Sequence, residues 1–567
     1  MFFRKKRKKE KDTQHGQNVT ELAKSEKREE VYQEQKKSGQ KNQKPSKKES
    51  KQNDPQSQKQ TDEQSKGEEK EKAQQHIAAS AANFELRQQI QEAMNENPDL
   101  QTRTIFKNQQ DITLFFIKGA VNEQALNEDV IEKLLKLPDE MLTNNMLKQA
   151  VPINRIQVSN DINDICMNLL DGWVFIHING QDDGVLFNIS QPQYRSVFQS
   201  LNEATVLGPK QEFTESIETN AQVLRQIIKN EDLIMESMTV GRRAPKEVRI
   251  VYMKGIADEE NVQAFRERIS ELDMDDIIDS SVLAHMIEEN EFSLFPQLFM
   301  TELPQRVSYS VMSGKVAVLM SGSPLALIGP VTFFSFFEST EDLYFSWNVS
   351  TFLRLLRFIA MFISVTFTPF YVATLTYHYE IIPSALLVSI GQSRSNVPFP
   401  PVMEALLLEG LIELLREAGA RLPTKIGQTI GIVGGIVIGQ AAVQAGFTSN
   451  ILIIVVALSA LASFTAPNYV MGTVIRVIRF PIIIVSGIAG GIGLIFGLSF
   501  VVIHLLKTTS LNRPYLAPIY PWHFKDFGQS IIRIPQRYNT SRSGYNEPQD
   551  EIKKKVPKKP KKKDIDE

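Results

Sequence analysis

Gly427–Ala445 reads GQTIGIVGGIVIGQAAVQA, with Gly427, Gly431, Gly435 and Gly439 at every fourth position and no Lys, Arg, Asp or Glu between them. Four-residue spacing sets these glycines on one slowly drifting helix face, where a second backbone can approach closely. In water each interior glycine weakens a helix by roughly 1 kcal/mol against alanine. In a bilayer an unpaired backbone group is so costly that the helix persists, and small residues become its packing surface. The segment is therefore expected to be a membrane helix built for tight contact, with Gln428 and Gln440 as polar members of its packing or pore-facing side. A buried glycine-rich helix of a soluble enzyme is the alternative, disfavoured because similar apolar segments flank this one.

Working outward, four spans are expected near 358–378, 425–445, 451–471 and 480–506, each close to the twenty apolar residues a bilayer demands. Pro369 should kink the first. The last carries its own small-residue series, Gly487, Gly491, Gly493 and Gly497. Arg476 and Arg479 fall between spans and are expected to mark one membrane face. The region 398–418 is a fifth, ambiguous helix. Pro398, Pro400 and Pro401 set up its start, and Glu409, Glu413 and Arg416 fall within about 60° of one another around its axis. Glu404 stands alone on the apolar side, one turn in. These carboxylates either lie in water with the helix in the interface plane, or face an aqueous cavity within an assembly.

The chain of 567 residues is too long for one core, and its net charge of −2 hides segregation. Residues 1–77 are a Lys/Gln-rich head too poor in apolar residues to fold alone, so a disordered basic head is expected. MFFRKKRKKEK is followed by no apolar stretch, so no cleavable signal peptide is expected. Aromatic interleaving is missing there, which argues against nucleic acid. Cys166, the single cysteine, excludes an intrachain disulfide framework and a Cys-rich metal site. It reads as a buried thiol.

Between head and spans the chain repeats itself. Leu114–Gly119 (LFFIKG) and Ile250–Gly255 (IVYMKG) each give an apolar strand, a Lys-Gly turn and an amphipathic helix. Gly172–Gly180 matches Gly314–Gly322, each followed by a second apolar run that suits a hairpin. The expectation is an α/β part of two related subdomains, 78–210 and 241–350, joined by a helical linker at 211–240. The α-helical multi-pass membrane domain, 351–507, follows, with a disordered basic cytoplasmic tail at 508–567. No P-loop, Rossmann pattern, HExxH or GxSxG is present. His177 and His285 read as structural, and Asp273, Asp275, Asp276 and Asp279 as solvated helix-end charge. No catalytic residues, metal or cofactor are expected. The α/β part should face the cytoplasm, since Arg354 and Arg357 precede the first span. With the basic tail on the same side, an even number of crossings is required.

The stretch from Pro398 to Gly446 is similar to the A subunits of spore germinant receptors, the GerA family of endospore-forming Gram-positive bacteria. Further matches are Gly208-Pro209, Val240–Arg243, Phe295–Gln297 with Thr301-Glu302, TFLRLLR (Thr351–Arg357), ASFTAPNY (Ala462–Tyr469) and PYLAP (Pro514–Pro518). The resemblance runs from about Ile105 to Ile534. It implies a multi-pass subunit of the spore inner membrane, working with a transporter-like, nutrient-binding B subunit and a C-subunit lipoprotein. It also implies a homo-oligomer among membrane lipid whose centre passes monovalent cations when nutrient is sensed. A non-conducting scaffold or signal relay, and a transporter, are the alternatives.

Overall fold

In the computed structural model the residues described are 79–554, apart from 108–109, 138–141, 191–202, 204–206, 423–434, 436, 438 and 536. The expected disordered head, the far end of the basic tail, and Gly427, Gln428 and Gly431 lie outside them.

Two five-stranded antiparallel sheets organise the α/β part. Strands β1 (Leu100–Lys107), β2 (Gln110–Ile117), β3 (Ile156–Ser159), β4 (Trp173–Ile178) and β5 (Gly184–Asn188) run in the order β1-β2-β4-β5-β3. Strands β6 (Leu233–Val240), β7 (Lys246–Met253), β8 (Phe299–Thr301), β9 (Val316–Met320) and β10 (Ala326–Gly329) run as β6-β7-β9-β10-β8, the same order. Helices cover both faces of each sheet, so the central strands β4 and β9 are buried along almost their whole length. On one side, α1 (Asn83–Ala93) and α2 (Ile162–Leu170) of the first subdomain correspond to α3 (Ile217–Ile227) and α5 (Pro304–Met312) of the second. On the other side of the second sheet lies α4 (Glu259–Ser270), capped by Asp258. The Lys-Gly turns after β2 and β7 end on Gly119 (φ +78°) and Gly255 (φ +76°), a conformation that favours glycine at both. Arg225 of α3 pairs with Asp99 at the foot of β1 and joins the two halves.

The linker expected to be helical over 211–240 is helical only from Ile217 to Ile227. Leu233–Val240 is instead the edge strand β6, paired along all eight residues with β7. The helix ends at Ile227, Asn230 accepts the Asp232 amide in the turn that follows, and the ladder with β7 then overrides the local helical pattern.

The helical part differs more from expectation. Among the described residues two helices are long and apolar enough to cross a membrane by length and composition: α6 (Trp347–Tyr377) and α10 (Tyr469–Lys507). α6 starts eleven residues before the expected 358 and continues through Pro369. Between them lie α7 (Ser384–Arg394), α8 (Pro401–Arg421) and α9 (Asn450–Ser463). The expected span 451–471 is not one helix: α9 stops at Ser463, Pro467 follows, and Asn468 caps α10 by accepting the Met471 amide at 3.0 Å. Its fourteen residues reach about 21 Å, short of the roughly 30 Å hydrocarbon core.

The expected span 480–506 is also not straight. At Gly490 the backbone turns to φ 61°, ψ −139°, a region open essentially to glycine alone. The two arms of α10 then lie side by side: a Cβ on Gly493 would strike the Val485 carbonyl, and one on Gly497 would sit 3.3 Å from Ile482. The glycine series there serves contacts inside this chain, since a Cβ on Gly487 would meet Val402 at 2.6 Å and one on Gly491 would meet His378 at 3.2 Å.

Both ends of the helical part meet the second subdomain. The FFSFF turn (Phe333–Phe337) packs Phe334 and Phe337 against Phe358 of α6, with ring centroids 5.7 and 5.3 Å apart. At the other end His504 of α10 lies 3.3 Å from the Ser293 hydroxyl and beside the Phe295 ring. The chain beyond was expected to be a disordered tail from 508, yet 508–554 is folded onto the second sheet. Tyr515 is fully buried and donates to the Pro296 carbonyl at 2.8 Å; Tyr545 donates to Val331 at 2.8 Å. Apolar Leu511, Tyr515 and Ala517 supply a core contact that the Lys-rich composition further on obscures.

Candidate functional site

α8 begins as its prolines require. Pro400 is the N-cap and Pro401 the first helical residue, where a missing N–H costs nothing, while Pro398 stays exposed in the preceding loop. From that start the helix presents three carboxylates along the bundle, and each meets a cation from a neighbouring helix. Glu404 is 1% exposed, 2.9 Å from Arg394 of α7, and accepts the Ser449 amide at 3.2 Å. Glu409 is 1% exposed, with Oε2 2.5 Å from Arg479 Nη1 of α10. Glu413 pairs with Arg416 at 2.9 Å and with Arg476 of α10 at 3.5 Å.

The middle pair is the best built. Arg479 Nη2 donates to Ser364 of α6 at 2.8 Å, and Thr368 of α6 donates to Glu409 Oε1 at 2.9 Å. The Ser459 hydroxyl of α9 lies 3.0 Å from Thr368 Oγ1, so four helices contribute. Other hydroxyls of α6 (Thr366, Thr374, Thr376) donate back to carbonyls four residues earlier. Arg476 and Arg479, expected at a membrane face, are instead buried within the first arm of α10 and serve as counter-charges to α8. Two ions drawn out of water offset their desolvation only when paired and hydrogen-bonded this closely. Glu409 consequently lies in neither bulk water nor an open cavity of the single chain; only Glu413, with 30% of its side chain exposed, stays partly wet.

The described end of the glycine-ladder segment behaves differently. Residues 439–444 are helical, Gln440 is exposed, and a Cβ added at Gly435 or Gly439 would meet nothing within 4 Å among the described residues. Its small residues thus leave an open face, unlike those of α10.

Elsewhere the titratable groups that stand out are structural. His177 is held between the Asn83 side-chain oxygen (2.6 Å) and the Gln181 carbonyl (2.8 Å), and burial pushes its imidazole below the usual range. Burial likewise pushes the Cys166 thiol up to about 12. Asp275 pairs with Arg242 at 2.6 Å, and Asp279 caps a helix through the Ser281 amide. Among the described residues no group of three or more His, Cys, Asp or Glu is placed to hold a metal ion.

Sequence comparison places this architecture. Residues 88–545 match the family described as Bacillus/Clostridium GerA spore germination protein. The chain is 41% identical over 449 residues to spore germination protein GerQA of Bacillus cereus, covering 79% of this chain and 90% of that one. It is 37% identical over 443 residues to spore germination protein A1 of Bacillus subtilis (78% and 92% covered). Against GerIA of Bacillus cereus the identity is 44% over 421 residues, spanning 74% of this chain and 63% of the relative. A solved structure, the N-terminal domain of the A subunit of the Bacillus megaterium spore germinant receptor GerK3, is matched at 25% identity and a TM-score of 0.37, over 46% of this chain and 99% of that one. With the match running from the first sheet through the helices to the segment that folds back, the chain belongs to the GerA family of spore germination proteins.

Proposed function

We propose that the chain is the A subunit of a nutrient-sensing germination receptor in the spore inner membrane, and that copies of it surround a path for monovalent cations. In this reading the α/β part and the folded C-terminal segment face the spore core. α6 leaves that side and the second arm of α10 returns to it. A transporter-like B subunit binds the nutrient, a C-subunit lipoprotein completes the complex, and nutrient binding shifts a closed–open equilibrium of the helices. The observation that supports assembly is the open face at Gly435 and Gly439. Small residues in lipid favour close helix contact, and among the described residues nothing fills this face.

A second reading, a non-conducting scaffold, is favoured by the pairing of Glu409 with Arg479, which withdraws both charges from any aqueous path. A transporter is disfavoured, since the internal repeat lies in the sheets and not in the helices. The test is cation release from vesicles carrying the whole receptor. With this subunit present, nutrient should trigger release and Gly435→Leu should abolish it or leave it permanently on. Equal release from vesicles lacking this subunit would assign the path elsewhere.

A further inference from the structure

At the junction of the second subdomain, the foot of α6 and the folded C-terminal segment lies a cavity of about 650 Å³. Among the described residues six basic side chains but three carboxylates line it. The carboxylates are already engaged. Asp342 takes Arg354 (3.3 Å) and, from outside the wall, Arg357 (2.9 Å); Asp526 accepts the amides of Gly544 and Tyr545 at 3.0 and 3.1 Å; Glu338 lies 3.4 Å from Arg354.

Arg306 lies near Glu203 and donates to the Glu338 carbonyl at 2.6 Å, but three other cations are held without paired acids. Arg533 is fixed by neutral oxygens, the Leu343 carbonyl at 3.3 Å and the Ser350 hydroxyl at 3.4 Å. The Lys553 ammonium rests over the Tyr309 ring at 4.6 Å. Lys315 is enclosed by protein but keeps part of its side chain on the cavity. Burial pushes its pKa down to about 8, Glu338 opposing and Arg306 adding to the fall. Among the described residues no carboxylate is paired with Lys315, Arg533 or Lys553. Lys553 feels Arg542 and Arg533 as neighbours, and Arg533 feels Arg354 with Asp342 and Glu338 opposing, so like charges are gathered from three separate segments around carboxylates already engaged. Such a gathering is unfavourable until an anion enters it.

We propose that this cavity binds a phosphate-type oxyanion, with Lys315, Arg533 and Lys553 as its ligating groups. Three convergent cations suit a multiply charged, multiply accepting anion better than a single carboxylate. The volume admits a phosphate carrying an organic substituent. The phosphate is either free in solution or the headgroup of an anionic lipid. The second source has a route, because the Arg533 amide donates to Thr351 in the first turns of α6, and exposed Trp347 opens that helix as aromatic residues do at a headgroup layer. Occupancy would tie the C-terminal segment and the second sheet to the foot of α6. Binding there does not depend on ion conduction, so failure of the channel reading leaves it intact.

The experiment uses the full chain in nanodiscs of phosphatidylcholine. Inorganic phosphate is titrated in by calorimetry and thermal unfolding is followed in parallel, with a second set of discs containing phosphatidylglycerol in phosphate-free buffer. Phosphate is expected to raise the unfolding temperature. Lys315→Met and Lys553→Met should each weaken binding about tenfold or more, a loss of roughly 1.4 kcal/mol per tenfold. Lys315→Arg should largely retain binding, and Lys136→Met, on the exposed surface of the first subdomain, should leave it unchanged. A Lys315-dependent shift in phosphatidylglycerol discs, without one from inorganic phosphate, would assign the headgroup as the source. Should Lys315→Met fail to fold, Lys553→Met at the exposed mouth carries the test. Binding that is absent with both probes, or equal in wild type and both Met variants, would overturn the assignment.

Discussion

Arg479 Nη1 stands 2.5 Å from Glu409 Oε2, with the two side chains 2% and 1% exposed. α8 and the first arm of α10 are thereby fastened at mid-bundle by an ion pair whose remaining hydrogen bonds go to Ser364 and Thr368 of α6. Removing one partner leaves the other charged and buried, which costs about 3–5 kcal/mol in comparable sites. Glu409→Leu and Arg479→Leu should each, alone, lower the thermal stability of the purified subunit sharply. The double replacement Glu409→Leu with Arg479→Leu should recover much of the loss. Additive losses in this double-mutant cycle would show that the pair is not an energetic unit.

Gly490 and Gly435 should separate folding from assembly. Gly490→Ala forces a left-handed, glycine-only conformation onto alanine and drives a Cβ to 2.9 Å from Tyr377. A loss of about 1–3 kcal/mol in stability of the single subunit is expected. Gly435→Ala meets nothing among the described residues, so the isolated subunit should unfold as before, with any effect confined to association. Unfolding curves in detergent at low protein concentration decide both.

The Cys166 thiol should be silent to maleimide in the native protein and react only on unfolding. Its pKa rises from the ordinary 9.0 to about 12 because burial disfavours the thiolate, with Glu231 and Asp161 adding to the effect. A raised folded-state pKa means the contribution to stability is whole below pH 9, where both states hold the proton. It is lost as pH climbs toward about 12, because the unfolded state releases its proton first. Cys166→Ala should therefore flatten the alkaline part of the stability profile. An unchanged slope between pH 9 and 11 would contradict this.

The C-terminal fold-back should resist proteolysis. Tyr545→Phe deletes a buried hydrogen bond to the Val331 carbonyl, worth about 0.5–1.5 kcal/mol or somewhat more if that oxygen stays unpaired. Cleavage between 508 and 554 should quicken in this variant while cleavage elsewhere stays the same. Equal protection in the two proteins would remove Tyr545 as the anchor.

Much of the α/β part was legible because its signals are local. Apolar runs ending in Lys118-Gly119 and Lys254-Gly255, then Asn122 and Asp258 as caps, announce strand, turn and helix within a dozen residues. What escaped was set by distant partners. Leu233–Val240 has a pattern that suits a helix, and only pairing with β7 makes it a strand. Gly493 and Gly497 look like members of a spaced series until the arms on either side of Gly490 are seen to touch. Arg476 and Arg479 looked like boundary charges, yet their three-residue spacing complements the four-residue spacing of Glu409 and Glu413. Two isolated charge pairs of opposite sign in otherwise apolar segments were the available signal. The tail escaped because its Lys-rich end dominates composition, while Tyr515 and Tyr545 do the anchoring.

The open glycine face is the point on which assembly, and with it the cation path, depends. Cysteine placed at Gly435 on a Cys166→Ala background, in membranes holding the complete receptor, should form a disulfide between two copies of this chain under mild oxidation. A matching cysteine at exposed Ile488 of α10 should not. Cross-linking absent at 435, with that thiol reacting only with lipid-soluble reagents, would mean the face meets lipid alone and would contradict the account.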